Sequence, residues 1–239
     1  MGGINSQFKI GGVPHILWLV LPLAVVAILC GVFSKHKKAG RITIYVLAVV
    51  LLVLRVVKYG FLKPLLWNET WKTIVPFELC TILTFVLPFT VFFKTAKFNA
   101  FVYPLAIFGG IVTLAYPEWI YNGYGLNFNK LESLIAHTAL FAIPFFSQAS
   151  QFNFKLQIRD YYKPVLAMLV LILYAYIANR FITPGTNHMF IKQNPLPINI
   201  PGMHHMVLFA AAFLLYLFLL CLPNLIKVTR AKRRNKRNK

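Results

Sequence analysis

Residues 14–33 read PHILWLVLPLAVVAILCGVF, a run of twenty residues without Asp, Glu, Lys or Arg. An α-helix needs about 20 mainly apolar residues to cross the hydrocarbon core of a bilayer, and this run has that length. Comparable runs recur near residues 42–62, 76–93, 98–115, 131–146, 164–181 and 203–226. The pattern therefore predicts about seven transmembrane segments.

Backbone chemistry decides what kind of segment these are. A lone strand in lipid would leave its N–H and C=O groups unpaired, so only helices and closed barrels span membranes. A barrel would show segments of about ten residues in which polar and apolar side chains alternate, and these runs do not. We predict an all-α, polytopic transmembrane helix bundle of about seven spans.

Composition and charge agree with a membrane protein. The chain is 59% hydrophobic with a mean hydropathy of +0.67, whereas a soluble domain is roughly half apolar. Its net charge of +20 does not indicate a nucleic-acid partner, because the densest basic cluster directly follows the last apolar run and suits anionic lipid headgroups. We predict one transmembrane domain over residues 1–226 and a basic cytoplasmic tail over residues 227–239.

The loops between the apolar runs indicate an orientation. Basic residues lie in alternate loops, and such loops share one side of the membrane, which is cytoplasmic by the positive-inside rule. They are Lys35, Lys37, Lys38, Arg41, Lys94, Lys97, Lys155, Arg159 and Lys163. We therefore predict a multi-pass protein of the cell membrane with its N-terminus outside and its C-terminus in the cytoplasm.

With that topology, polar residues of the apolar runs gather near the outer face. The same face carries a Pro-rich segment, residues 184–202, which we expect to fold as a lid because connections of that length are usually functional or disordered. The gathered residues are His15, Arg55, Lys58, Glu78, Cys80, Glu118, His137, Asn187, His188, His204 and His205. Lipid headgroups and water near helix ends are enough to explain some of these polar residues. The alternative explanation for the whole set is an outer-facing site.

Two cations lie unusually deep in this set. Arg55 and Lys58 are three residues apart and so share a helix face, where a buried charge needs a partner or water. Glu78 is the nearest candidate partner, and the pair could be structural or could provide the charge of a site. Glu78 also follows Pro76 in what we expect to be the first helical turn. Glu78 and Cys80 would then point about 200° apart, which disfavours a direct relay.

Cys80 and His137 are the candidates for chemistry. Most buried cysteines are inert, but a thiol becomes a nucleophile when a base lies near it, and His137 is expected at a similar depth on another helix. That histidine could equally bond a neighbouring carbonyl group. Cys30 and Cys221 project toward the inner half as packing residues, and the spacing of the three cysteines predicts neither a disulfide nor a zinc site.

Several stretches together resemble the YwaF-like integral membrane proteins, which are related to an animal TMEM protein with ether-phospholipid acyltransferase activity. They are PHILWLV after F-x-x-G-G, VPFELC, IAHTALFAIP and GTNHMFIKQNP, in that order. The resemblance implies that Cys80 is a nucleophile and His137 a general base. His15 and Asn187 match other recurrent polar positions, whereas Glu78 and His188 replace commoner residues.

The sequence hypothesis is therefore a membrane-embedded lipid acyltransferase, or acyl hydrolase, that uses Cys80 and His137 without a cofactor. Its partners would be membrane lipids, with phospholipid the expected class, and its substrate-binding residues would be Arg55, Lys58, Glu78, His15, Asn187 and His188. A metal is not expected, because the adjacent His204 and His205 diverge by about 100° on a helix. The alternatives are an outer-facing protein that binds or transports a small anionic ligand, and a purely structural role in an assembly of open stoichiometry.

Overall fold

A computed structural model describes residues 12–66, 70–94, 96–116, 128–152, 160–194 and 204–237. Within these ranges the chain is helical and contains no strand, which confirms the predicted all-α class. The long helices are α1 (Val13–Lys35), α2 (Lys37–Arg55), α3 (Leu79–Phe92), α4 (Ala96–Ala115), α5 (Phe128–Ala149), α6 (Tyr162–Ile177) and α7 (His205–Arg237).

Five helical stretches are long and apolar enough to cross a membrane: Val13–Lys35, Lys37–Leu65, Lys97–Ala115, Tyr162–Ile182 and His205–Pro223. Helix α3 is apolar but shorter, and α5 carries Lys130 and Glu132 near its start. The protein is thus a multi-pass helical membrane protein. Which end of the bundle faces the outside stays a prediction.

Hydrogen bonds between chain-distant residues show which helix ends meet. His15, at the start of α1, bonds the carbonyl oxygen of Ala115 at the end of α4. His205, at the start of α7, bonds the carbonyl of Phe190, which follows α6. Arg55 at the end of α2 contacts Glu132 near the start of α5, and Glu78 before α3 contacts His188 after α6. The starts of α1, α3, α5 and α7 therefore lie with the ends of α2, α4 and α6. We call this the polar end of the bundle.

Helix α5 lies at the centre, packed against α1, α2, α3 and α4. Small residues allow this close packing: Ala136 and Ala139 of α5 are almost fully buried, and Gly110 of α4 faces the α5 backbone. A Cβ atom on Gly110 would lie 2.7 Å from the carbonyl oxygen of His137, closer than real Cβ contacts come. Glycine is therefore required where α4 crosses α5.

Several boundaries differ from those expected. Helix α3 begins at Leu79, not in the turn after Pro76, because Glu78 is extended at φ −86° and ψ 138° and occupies the N-cap position. Helix α2 continues in wide π-type turns over Val56–Leu66. Helix α7 continues to Arg237, so most of the predicted basic tail prolongs the last helix.

Candidate functional site

A cavity of about 780 Å³ lies at the polar end of the bundle, within the size range of small-molecule sites. Its wall is formed by residues of α2 and its π-type continuation, α3, α4, α5, α7 and the segment after α6. Charged and polar side chains line one part, among them Arg55, Glu132 and His137. Phe108, Val112 and Phe209 line an apolar part. The space is therefore amphipathic, as a site for a lipid would be.

Cys80 of α3 and His137 of α5 line this same cavity, as the catalytic hypothesis requires. Two adjacent glycines of α4 allow both residues to lie close to this helix. Gly110 admits the α5 backbone at His137, and a Cβ atom on Gly109 would lie 3.1 Å from the sulfur of Cys80. Helix α4 can thus pack closely on α3 with one glycine and on α5 with the next.

The hydrogen bonds of these two side chains indicate how each is held. The Cys80 sulfur lies 3.5 Å from the hydroxyl of Thr113, and either group could donate. His137 Nδ1 lies 2.6 Å from the carbonyl oxygen of Ser133, which can only accept, so Nδ1 carries the proton. In the neutral ring Nε2 is then the basic nitrogen. Among the described residues no hydrogen bond joins Cys80 directly to His137.

Arg55 and Lys58 form a buried ion triad with Glu132. Arg55 Nη1 lies 2.8 Å from Oε1 of Glu132, and Lys58 Nζ lies 2.7 Å from Oε2. The prediction that these cations pair with Glu78 is therefore wrong, because the start of α5 and not that of α3 lies against them. Two cations share one carboxylate, so the triad carries one net positive charge.

Glu78 instead holds the segment that follows α6. Its Oε1 accepts a hydrogen bond from His188 Nδ1 at 2.7 Å, and its Oε2 accepts one from the backbone N–H of Met189 at 3.1 Å. Because Glu78 is at the N-cap and not in a helical turn, it and Cys80 both line the cavity. Among the described residues no hydrogen bond joins Glu78 to Cys80, so the structure shows no direct relay between them.

Comparison with known proteins supports the membrane assignment. A sequence model of the TMEM164 family matches residues 10–223. The chain belongs to the TMEM164 family. No curated protein and no solved structure matches the chain significantly.

In this TMEM164-family chain, residues 183–194 form a strap across the polar end. Asn179 anchors it, since its side chain bonds both the N–H and the carbonyl of His188 at 2.8 and 3.0 Å. Met189 and Phe190 line the cavity and have positive φ values of 53° and 55°, a strained backbone for residues other than glycine. The described part of the predicted lid is therefore folded, and residues 195–203 lie outside the described ranges.

Three of the predicted substrate-binding residues do not line the cavity. His15 is buried between α1 and α4, where it bonds the carbonyl of Ala115. His188 faces Glu78 and Thr183, and Asn187 bonds the backbone of Lys192 and Gln193 within the strap. Of the predicted set, Arg55, Lys58 and Glu78 line the cavity together with Cys80 and His137. Glu118 lies outside the described residues.

Sequence reasoning missed Glu132 and Thr113, which contact the predicted residues directly. A signal for Glu132 existed, since it is an acid five residues before His137 in a chain with five acids. Thr113 gave none, because a threonine in an apolar run commonly bonds its own helix. In the described part of the chain, no three His, Cys, Asp or Glu side chains gather as ligands for a metal.

Proposed function

We propose that this protein is a membrane-embedded acyltransferase, or acyl hydrolase, in which Cys80 is the nucleophile and His137 the general base. One observation carries the proposal: Cys80 of α3 and His137 of α5 line one cavity, which has charged residues in one part and apolar residues in another. A lipid ester needs such a space, since its headgroup is polar and its chains are not. The YwaF-like resemblance and the proposed residue roles belong to this proposal.

The reaction needs only a thiol and a base. His137 Nε2 takes the proton of the Cys80 thiol, and the thiolate attacks the ester carbonyl of the donor lipid. The C–O ester bond breaks, the leaving alkoxide takes the proton from His137, and a thioester remains on Cys80. A second hydroxyl, from an acceptor lipid or from water, then gives its proton to His137 and attacks the thioester. The C–S bond breaks, His137 returns its proton to the Cys80 thiolate, and the thiol is regenerated with no net redox change.

Such a transfer would require the Cys80 thiol and the His137 ring to approach each other, since they are not hydrogen-bonded to each other. Catalytic hydrogen bonds are often long before substrate binds and tighten in the complex, so the arrangement remains compatible with the reaction. The Nε2 atom of His137 makes no hydrogen bond to a described residue, which leaves it available to a thiol or a hydroxyl.

Arg55 and Lys58 supply the charge for a phosphate group. Both line the cavity, and the triad with Glu132 carries one net positive charge. The other carboxylate on the cavity wall, Glu78, is bonded to His188 and to the N–H of Met189 and forms no ion pair with either cation. The buried Nε of Arg55 has no hydrogen-bond partner among the described residues. A phosphodiester carries one negative charge and oxygen acceptors, so it would complement both features. A membrane phospholipid is accordingly the proposed substrate, and the cell membrane the proposed location.

The test is to trap the acyl-enzyme. Purified protein in vesicles of phosphatidylcholine with a radiolabelled acyl chain should acquire label that neutral hydroxylamine removes. Cys80→Ala should abolish the label, while Cys30→Ala and Cys221→Ala should retain it, because neither of those thiols lines the cavity. Protein without label, or label that survives Cys80→Ala, would refute the proposal.

A second candidate function is the binding or transport of a small anionic ligand. The excess positive charge and the unpaired Nε of Arg55 favour it as well, since neither requires a lipid. The two functions differ in their need for the thiol. Uptake of an anion into proteoliposomes that persists in Cys80→Ala would support this candidate, and uptake that never exceeds the rate of empty vesicles would exclude transport.

A further inference from the structure

The apolar part of the cavity extends between α4 and α7. Its wall there includes Phe108 and Val112 of α4 and Leu208, Phe209 and Ala212 of α7. We call this part the apolar arm. Its side chains offer no hydrogen-bonding groups, so water in it would lose hydrogen bonds and an apolar group would be favoured.

The arm is closed on its inner side by aromatic contacts. The ring of Phe108 packs against those of Phe209 and Phe213, with centroids 5.4 and 5.0 Å apart. Further along, the hydroxyl of Tyr216 donates a hydrogen bond to the carbonyl oxygen of Pro104 at 2.9 Å. These contacts hold α7 to α4 below the arm, so the cavity ends there and not in a pore through the bundle.

The arm is open toward the outer surface of the two helices. Val112 is 37% exposed and Ala212 is also exposed, yet both line the cavity. Both belong to helical stretches that are long and apolar enough to span the membrane. A surface of that kind faces lipid chains. The cavity therefore has a lateral mouth at the level of the hydrocarbon region.

The arm also leads to the thiol. Gly109, which lines it, is so close to Cys80 that an added Cβ atom would lie 3.1 Å from the sulfur. An occupant of the arm therefore reaches Cys80 past a residue without a side chain. The cations of the triad line the same cavity. The cavity thus brings together an apolar wall, a thiol and positive charge.

We propose that the apolar arm is the binding site for one acyl chain of a membrane lipid, which enters sideways between α4 and α7, and that Ala212 at the mouth determines which chains fit. The three features of the cavity complement the three parts of a phospholipid: the apolar wall its hydrocarbon chain, the thiol its ester carbonyl and the positive charge its phosphate. The assignment of the carbonyl to Cys80 rests on the proposed function. The binding of a chain in the arm does not.

Three consecutive alanines provide a matched test. Ala210, Ala211 and Ala212 are all exposed on α7, but only Ala212 lines the cavity. A phenylalanine at an exposed, lipid-facing position should be tolerated by the fold. Ala212→Phe should fill the mouth of the arm, whereas Ala210→Phe and Ala211→Phe should project elsewhere. Size-exclusion chromatography and thermal unfolding verify that all three variants fold.

Binding is measured without catalysis. Cys80→Ala protein in vesicles is irradiated with phosphatidylcholine that carries a diazirine midway along one acyl chain, and labelled peptides are mapped. Crosslinks are expected on α4 and α7 around Val112 and Phe209. Ala212→Phe should reduce them roughly tenfold, because it excludes two or more methylene groups from the arm. The two neighbouring variants should leave them unchanged.

Equal crosslinking in all variants, or crosslinks confined to the outer faces of α1 and α6, would overturn the proposal. Thioester formation at Cys80 provides the second readout, with donors of long and short acyl chains. Ala212→Phe should impair the long-chain donor more than the short one. If the crosslinks behave as expected but no thioester forms, the acyl-chain site stands and the proposed reaction falls.

Discussion

Glu132 of α5 lies 2.8 Å from Arg55 of α2, and its side chain is fully buried. The same carboxylate binds Lys58 through its other oxygen at 2.7 Å. In a chain with 25 Lys and Arg residues against five acids, this carboxylate offsets the charge of two cations at the polar end of the bundle. The end of α2 and the start of α5 are therefore held together by an ion pair as well as by packing.

Loss of this carboxylate should destabilise the protein strongly. Glu132→Ala would leave Arg55 and Lys58 buried without a counter-charge, and breaking a buried pair in this way costs about 3–5 kcal/mol. We expect a clearly lower midpoint of thermal unfolding in detergent, followed by intrinsic fluorescence. Glu132→Gln should be intermediate, since it keeps the shape and part of the hydrogen bonding.

The control for that measurement is the ion pair between Asp160 and Lys163, which are three residues apart and partly exposed. Pairs of this kind contribute about 0.3–0.5 kcal/mol, so Asp160→Ala should barely change the unfolding midpoint. Equal shifts for Glu132→Ala and Asp160→Ala would mean that the triad adds nothing beyond a local pair of residues three positions apart.

The crossing of α4 and α5 should depend on Gly110. In Gly110→Ala the new methyl group would lie 2.7 Å from the carbonyl oxygen of His137, so the two helices must separate. Overpacking of this kind typically costs about 1–3 kcal/mol, and here it should also displace His137. Thermal unfolding in detergent would measure the loss.

Gly31 is the matched control for Gly110. It lies within α1, and a Cβ atom there would have nothing within 4 Å. Gly31→Ala should therefore leave stability unchanged or raise it by up to about 1 kcal/mol, the difference in helix propensity. A Gly110→Ala protein as stable as Gly31→Ala would contradict the close crossing.

Hydropathy was sufficient to predict the helices, because apolar runs such as residues 14–33 have one stable form in lipid. It also indicated that Cys80 and His137 lie at a similar depth. It could not identify the partner of Lys58, which is 74 residues away in Glu132. Depth follows from position along a helix, but a contact also requires the order and rotation of the helices in the bundle, which are set by packing at residues such as Gly110.

Glu78 illustrates a second limit. Its predicted role assumed a helical turn after Pro76, and a difference of one turn in the start of α3 changed both its direction and its partner. Helix ends depend on local capping and on neighbouring segments, here the strap at His188, which an apolar run does not encode.

Glu78 should hold the strap to α3, beside the bonds from Asn179 at the end of the preceding helix. This carboxylate accepts two hydrogen bonds, from His188 and from the backbone of Met189. Hydrogen bonds to a charged group contribute about 1.5–3 kcal/mol. Glu78→Ala should thus raise the amide hydrogen-exchange rate of Met189 by roughly 10- to 100-fold, measured by mass spectrometry of the strap peptides.

Asn187→Ala separates anchoring from the internal order of the strap. Asn187 bonds Lys192 and Gln193, which belong to the strap itself, and not the rest of the bundle. Its loss should speed exchange at those two amides and leave Met189 protected. If Glu78→Ala leaves the exchange of Met189 at the native rate, the strap does not depend on the carboxylate.

Thr113 is placed to set the reactivity of Cys80. Its hydroxyl is 3.5 Å from the sulfur and is the hydrogen-bond partner of the thiol among the described residues. When the thiol loses its proton, only the hydroxyl can donate, so the hydrogen bond then stabilises the thiolate. Thr113 would act through Cys80, as a positioning residue, whichever substrate occupies the cavity.

Thr113→Val removes the hydroxyl and keeps the shape of the side chain. A typical hydrogen bond contributes about 0.5–1.5 kcal/mol, so alkylation of Cys80 by iodoacetamide should slow roughly 2- to 10-fold. The rate is measured in Cys30→Ala/Cys221→Ala protein, where Cys80 is the remaining cysteine. Thr113→Ser keeps the donor and should react near the native rate. If Thr113→Val and Thr113→Ser react at the same rate, the hydroxyl has no influence on the thiol, because only the serine variant keeps a hydroxyl that can donate to the sulfur.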